Sequence, residues 1–121
     1  MRAYVEIEVS GLRASATVEA VVDTGFDGAV CLPLDIAVPL GLELAGTEWA
    51  EYADGRIERE LWFRGTVQFL GETQTVRISL TESEEALAGM ALLKGCTLFI
   101  DCDTGNVRIE RKQDSPNVPS A

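Results

Sequence analysis

The sequence is organised around residues 20–30, which read Ala20-Val21-Val22-Asp23-Thr24-Gly25-Phe26-Asp27-Gly28-Ala29-Val30. The run from Val18 to Val22 is almost entirely apolar and rich in β-branched residues, so it predicts a strand buried on both faces. Asp23 ends that strand, and an unpaired carboxylate in such surroundings costs roughly several kcal/mol. We therefore expect this carboxylate to be hydrogen-bonded, to share its charge or to be used in chemistry.

The length of the chain, 121 residues, is enough for one domain with a genuine core and too short for two. Hydrophobic residues make up 46% and charged residues 25%, as is ordinary for a soluble globular protein. We predict a single domain over residues 1–111. Residues 112–121 contain two prolines and no apolar pattern, which predicts a disordered polar tail.

The charge and residue types exclude several functions. A net charge of -10 without any basic stripe argues against nucleic acid as a partner. The chain has no histidine, which removes the commonest metal ligand and every Ser-His-Asp or Cys-His arrangement, so we predict no metal and no cofactor. No apolar run approaches membrane length, so we expect no membrane partner and a cytoplasmic location.

The three cysteines are Cys31, Cys96 and Cys102. Their number is odd, they form no CxxC pair, and each has apolar neighbours. We interpret all three as buried free thiols in a reducing compartment, rather than as partners in a disulfide or ligands of a zinc ion.

Short strands joined by turns account for most of the chain. Val5, Ile7 and Val9 alternate with polar residues in a half-buried first strand. Residues 47–67 form the clearest hairpin, with a two-residue turn at Asp54-Gly55 that sets Glu51 opposite Glu58, and it is expected to project. A second hairpin turns at Gly71-Glu72.

The remaining segments complete an all-β prediction. Residues 34–42 contain Pro39 and Gly41, so at most one helical turn fits there. Residues 81–85 are either an acidic connector or a helix start. We predict a short helix over residues 90–93 and a last hairpin with strands 97–101 and 107–111. About eight such strands indicate a small closed or nearly closed barrel with one short helix near the C-terminus.

The stretch Val21-Val22-Asp23-Thr24-Gly25 resembles the active-site signature of aspartic proteases. Because the chain has the size of one lobe, the resemblance is to the retropepsin-like group. The order of elements also matches over about residues 3–111: a hairpin, the Asp loop, a projecting flap, a second hairpin, an apolar-apolar-Gly segment with a short helix, and a final strand, which here would lie within residues 97–111. The stretch Gly89 to Gly95, with Asp101, is similar to the prokaryotic members in particular.

The resemblance implies a homodimeric aspartic endopeptidase that takes peptide or protein substrates. Asp23 from each subunit would share a proton and hold the attacking water. Thr24 would hydrogen-bond across the dimer, and the backbone N–H of Gly25 would reach the carboxylate. The tip of the flap, Tyr52, Ala53, Asp54 and Gly55, would contact the substrate.

A second Asp-Thr-Gly, at residues 103–105, offers another half for the dyad or a simple turn. We favour the turn, because these residue types form turns between strands and too few residues follow for a second set of elements.

Two further interpretations remain open. Many members of the family carry Ser, Thr or Ala after the glycine, where this chain has Phe26. The domain is therefore also interpretable as a non-catalytic dimerisation or peptide-binding module on the same fold. A small β-barrel with an incidental Asp-Thr-Gly is the third interpretation, and it predicts that Asp23 lies at no cleft.

Overall fold

Strands form most of the chain in this computed structural model, which describes residues 2–112. The nine strands and two helices are, in chain order, β1 (Tyr4–Ser10), β2 (Ser15–Val22), β3 (Val30–Pro33), α1 (Leu34–Leu40), β4 (Glu43–Glu51), β5 (Ile57–Phe69), β6 (Glu72–Thr81), β7 (Ala86–Ala88), α2 (Met90–Leu93), β8 (Cys96–Ile100) and β9 (Val107–Arg111). Neither helix in this part of the chain is long and apolar enough to cross a membrane. The predicted tail falls at residues 112–121, of which 113–121 lie outside the described residues.

Six strands close into a barrel. They run in the order β1-β2-β7-β3-β6-β5, and β5 pairs back to β1 through Thr66, Val67 and Gln68. This closure confirms the prediction of a small, closed, mostly-β structure. The β8–β9 hairpin forms a separate two-stranded sheet, as expected from the sequence.

The core fills the inside of this barrel. Ile7 and Val9 of β1 are buried, while Glu6 and Glu8 between them are exposed, so the predicted alternation is confirmed. Among the described residues no polar or charged side chain is buried. The largest fully enclosed side chains come from β1, β3, β5, β6 and α2, and they are Ile7, Leu32, Ile78, Leu92, Val9, Val30, Val67 and Pro33.

Strand β2 is buried on both faces only near its end. Val18 and Ala20 face the core, Glu19 between them is exposed, and Val21 is again buried. The prediction for Val18 to Val22 was therefore wrong at Glu19, where β2 pairs only with β1. From Ala20 onward β7 is hydrogen-bonded along the other edge of β2, so the last residues before Asp23 lie inside the sheet.

The β4–β5 hairpin projects from the barrel, as predicted. Residues 57–62 of β5 pair with β4 alone, whereas residues 63–69 pair with β6. The predicted turn was wrong by one residue: Glu51 lies opposite Ile57, not Glu58. The loop needs the extra residue because Gly55, with φ of 84°, closes it in the left-handed conformation.

Two local predictions need similar corrections. The second hairpin turns at Leu70-Gly71, both with positive φ, rather than at Gly71-Glu72. Helix α1 spans seven residues where at most one turn was expected, and it contains Pro39. Pro39 has no N–H for the carbonyl four residues earlier, and the helix ends one residue later, at Leu40, with Gly41 as a left-handed C-cap. Residues 81–85 form a connector and not a helix start.

Candidate active site

Asp23 lies in the loop between β2 and β3, and its side chain is half-buried. The Asp23 backbone N–H donates to the carbonyl of Ala88 at 3.0 Å, which fixes the residue against β7. One carboxylate oxygen, Oδ1, accepts the N–H of Gly25 at 2.9 Å. Among the described residues this is the carboxylate's sole hydrogen bond. The second oxygen thus remains available to a water molecule, a substrate or another carboxyl group.

Strand β7 and the start of α2 come later in the chain and form a clamp that holds this loop through backbone hydrogen bonds. Strand β7 lies between β2 and β3, parallel to β2 and antiparallel to β3. The first N–H groups of a helix have no partner within it, and here the carbonyls of the loop accept them. These bonds join Gly89 N to Ala29 O at 2.9 Å, Met90 N to Phe26 O at 2.8 Å and Ala91 N to Gly28 O at 3.2 Å.

The clamp requires glycine at position 89. A Cβ atom there would lie 2.2 Å from the carbonyl oxygen of Gly28 and 2.6 Å from that of Phe26. The Phe26 ring fills the remaining space, because its Cδ2 atom would lie 2.5 Å from the same Cβ. Phe26 therefore packs inside the loop and does not offer a hydroxyl to Asp23.

Thr24 and Gly25 are exposed at the apex of the loop. With Asp23 they form the predicted catalytic tripeptide, and the structure places the three together with the Gly25 N–H on the carboxylate. The predicted bond across a dimer needs a second chain and stays a prediction.

The cavities beside the Asp23 loop show no contact with the flap tip. Tyr52, Ala53, Asp54 and Gly55 form the end of the hairpin, and none of them lines either cavity beside the loop. The Tyr52 hydroxyl instead donates to the carboxylate of Glu60. That hydrogen bond raises the pKa of Tyr52 above its ordinary value of 10.0. Substrate contact by the tip stays a prediction.

Two cavities border the Asp23 loop. The first, of about 360 Å³, is lined by Asp23 itself together with Arg2, Val22, Ile100 and Cys102 of neighbouring segments. The second, of about 570 Å³, is an open groove between residues 26–30 and the base of the β4–β5 hairpin. Asp23 therefore lies at a cleft, which the incidental Asp-Thr-Gly interpretation did not expect.

Sequence reasoning did not predict the other residues that line the groove, among them Glu48, Glu60 and Trp62 of the β4–β5 hairpin and Arg77 of β6. Strand alternation places Glu60 and Trp62 on one face. The sequence carries no signal, however, that this face lies over the loop, since that depends on how β5 leaves the barrel.

The second Asp-Thr-Gly forms a turn, as predicted. Asp101 Oδ1 accepts the N–H groups of Asp103 at 2.9 Å and Thr104 at 3.3 Å, and Gly105 has a φ of 79°. Gly105 also lines the cavity that Asp23 lines, although residues 103–105 form a turn and not a second loop like that of Asp23.

The cysteines differ in exposure. Cys31 is buried, Cys96 is half-buried and Cys102 is exposed, so the prediction of three buried thiols is confirmed for Cys31, holds only in part for Cys96 and was wrong for Cys102. Cys102 lies in the turn after β8, where nothing covers it among the described residues. Burial raises the pKa of the Cys31 thiol, and nearby Glu60 adds to the effect.

No protein-family model matches the sequence, and no curated protein matches it at a significant level. Within residues 2–112 no group of three His, Cys, Asp or Glu side chains is placed to hold a metal ion.

Proposed function

We propose that this protein is a homodimeric, retropepsin-like aspartic endopeptidase. The observation that carries the proposal is the setting of Asp23. Its carboxylate is half-buried at a cleft, is oriented by the Gly25 N–H at 2.9 Å, and sits on a loop fixed by bonds to β7 and α2. A carboxylate held rigidly with one oxygen available is the arrangement that water activation requires.

The mechanism uses two copies of Asp23, one from each subunit. Adjacent carboxyl groups cannot both ionise easily, so the pair holds one shared proton. The ionised member takes a proton from water as the water oxygen bonds to the scissile carbonyl carbon, and its partner gives a proton to the carbonyl oxygen. The C–N bond then breaks as the first carboxyl group gives its new proton to the leaving nitrogen. The partner takes a proton back from a hydroxyl of the tetrahedral intermediate, so the pair again holds one proton. No metal takes part, and no covalent intermediate forms.

Each chain supplies half of this pair. The other Asp-Thr-Gly is occupied as a turn, so a second Asp23 must come from a second chain related by a two-fold axis. The exposure of Thr24 and Gly25 is compatible with that arrangement.

The test compares Asp23→Asn with Asp103→Asn, a matched change in the other Asp-Thr-Gly. Cleavage of a mixed peptide library is followed by mass spectrometry from acid to neutral pH. We expect Asp23→Asn to lower the cleavage rate at least about a hundredfold, since it removes both acid and base. Asp103→Asn should keep the native rate, and both should keep the native thermal unfolding midpoint. Undiminished cleavage by Asp23→Asn would exclude the mechanism.

A non-catalytic peptide-binding module is the second candidate, and Phe26 favours it. Phenylalanine has no hydroxyl to assist the carboxylate, and its ring instead packs against Gly28 and Gly89. This candidate predicts that peptides bind in the groove and are recovered intact after prolonged incubation at every pH tested.

A further inference from the structure

The groove between the Asp23 loop and the hairpin base combines apolar walls with charge. Its volume is about 570 Å³, enough for one or two side chains of an extended peptide. The apolar part consists of loop, hairpin and barrel residues, and the residues are Phe26, Ala29, Val30, Leu61, Trp62 and Val76.

The charges around the groove do not balance. Three carboxylates line it, those of Asp27, Glu48 and Glu60, against the single guanidinium of Arg77. Arg77 is already engaged, because its Nη2 atom lies 2.6 Å from Glu48 and its Cζ lies 4.1 Å from the centre of the Trp62 ring. Arg77 therefore neutralises Glu48 alone.

Glu60 is left without a cation. It lies directly opposite Glu48 in the β4–β5 pairing, an arrangement that is unfavourable for like charges. Among the described residues Glu60 forms no ion pair, and its partner is the neutral hydroxyl of Tyr52. Asp27, on the loop side of the groove, likewise forms no ion pair within residues 2–112.

We propose that this groove selects peptides that place a lysine or arginine side chain between Asp27 and Glu60. The apolar stem of that side chain would lie along the groove wall, and its charged end would compensate the two carboxylates. An acidic side chain at the same place is rejected by like-charge repulsion. The inference rests on the proposed function, because it takes the groove to be part of the substrate site.

The test measures binding without cleavage, in the Asp23→Asn protein. A set of fluorescently labelled peptides carries lysine, norleucine or glutamate at one position, and the set is repeated for each position along the peptide. The affinity of each peptide is measured by fluorescence anisotropy. At one position or more we expect lysine to bind about three- to tenfold tighter than norleucine, and glutamate to bind more weakly than either. The preference should shrink in about 1 M NaCl, where screening is strong. Equal affinities at every position would overturn the proposal.

Two variants locate the effect. Glu60→Gln keeps the size and the ability to accept the Tyr52 hydroxyl but removes the charge, so it should reduce the preference for lysine several-fold. Glu51→Gln removes one charge from the same hairpin, at an exposed residue that does not line the groove, and should leave the preference intact. If both variants change it equally, the groove is not the determinant.

The native protein separates this inference from the proposed function. Cleavage of library peptides with no preference for basic residues would overturn the inference and leave the endopeptidase intact. Binding that favours lysine, abolished by Glu60→Gln but never followed by cleavage, would support the inference and exclude the endopeptidase.

Discussion

Gly89, between β7 and α2, is the glycine that the Asp23 loop packs against most tightly. The loop carbonyls of Phe26 and Gly28 approach its Cα so closely that no side chain fits. We expect Gly89→Ala to lower the free energy of unfolding by about 1–3 kcal/mol or more, because the overlap is with backbone atoms that must shift. Urea denaturation followed by tryptophan fluorescence measures this change.

Gly25→Ala, in the Asp23 loop itself, is the matched control. A Cβ at Gly25 would meet only the Oδ1 atom of Asp23, at 3.3 Å, and its backbone is not in the left-handed region. Its free energy of unfolding should fall by less than about 1 kcal/mol, while any cleavage activity falls because the carboxylate is displaced. If Gly89→Ala proves no more destabilising than Gly25→Ala, the described clamp is wrong.

The thiols provide a second prediction. At about pH 8, iodoacetamide should modify Cys102 first and leave Cys31 unmodified in the folded protein, as mass spectrometry of digests will show. Burial raises the folded-state pKa of Cys31 above 9.0, so the neutral thiol is favoured. The stability that this neutral form contributes is fully present below pH 9.0 and is lost as the pH rises through the folded-state pKa.

Cys102→Ser serves as the control for that experiment. It should remove the fast-reacting thiol without changing the slow ones. Rapid modification of Cys31 in the folded protein would contradict the buried position of β3.

At the scale of elements, the strands were predictable where a local pattern fixes them. The alternation of Val5, Ile7 and Val9 defines β1, and the placement of Pro33 marks the end of β3. Turn registers were less predictable, because Asp54-Gly55 is compatible with both two-residue and three-residue loops. The choice depends on which residue takes the left-handed conformation, and here it is Gly55 alone.

The projecting hairpin should be the least protected strand pair of the barrel region. Residues 57–62 of β5 have β4 as their one neighbouring strand, and the hairpin exposes the side chains of Trp49, Ile57 and Leu61. Hydrogen exchange should therefore be about a hundredfold or more faster in residues 48–60 than in β3, which is buried between β6 and β7. Comparable protection of the two segments would show that the hairpin is covered in solution.

At the scale of the whole molecule, the sequence predicted a small closed or nearly closed barrel but not which strands close it. Nothing local in residues 66–68 indicates that β5 pairs with β1, since that contact depends on the curvature of the whole sheet. For the candidate site, the sequence located Asp23, Thr24 and Gly25 on one loop. The sequence did not predict that Glu60 and Arg77 line a groove beside this loop, because three separate segments of the chain meet at that groove.

Net charge should govern association of the proposed dimer. Two chains of charge -10 repel each other, and the pI is about 4.3. We expect the dissociation constant of the dimer to fall by about tenfold when NaCl is raised from about 20 to about 500 mM, and to fall again as the pH approaches the pI. Sedimentation velocity at micromolar concentrations measures both, and a monomer under all these conditions would contradict the dyad.

The position of β7 also sets when the loop is completed during synthesis on the ribosome. Residues 23–29 are translated early, but the groups that hold them belong to residues 88–91. A nascent chain that ends before those residues contains Asp23 but lacks the clamp, however many barrel strands have already formed. The loop therefore matures only when nearly the whole domain has emerged, and incomplete chains carry the aspartate without the hydrogen bonds that fix its loop.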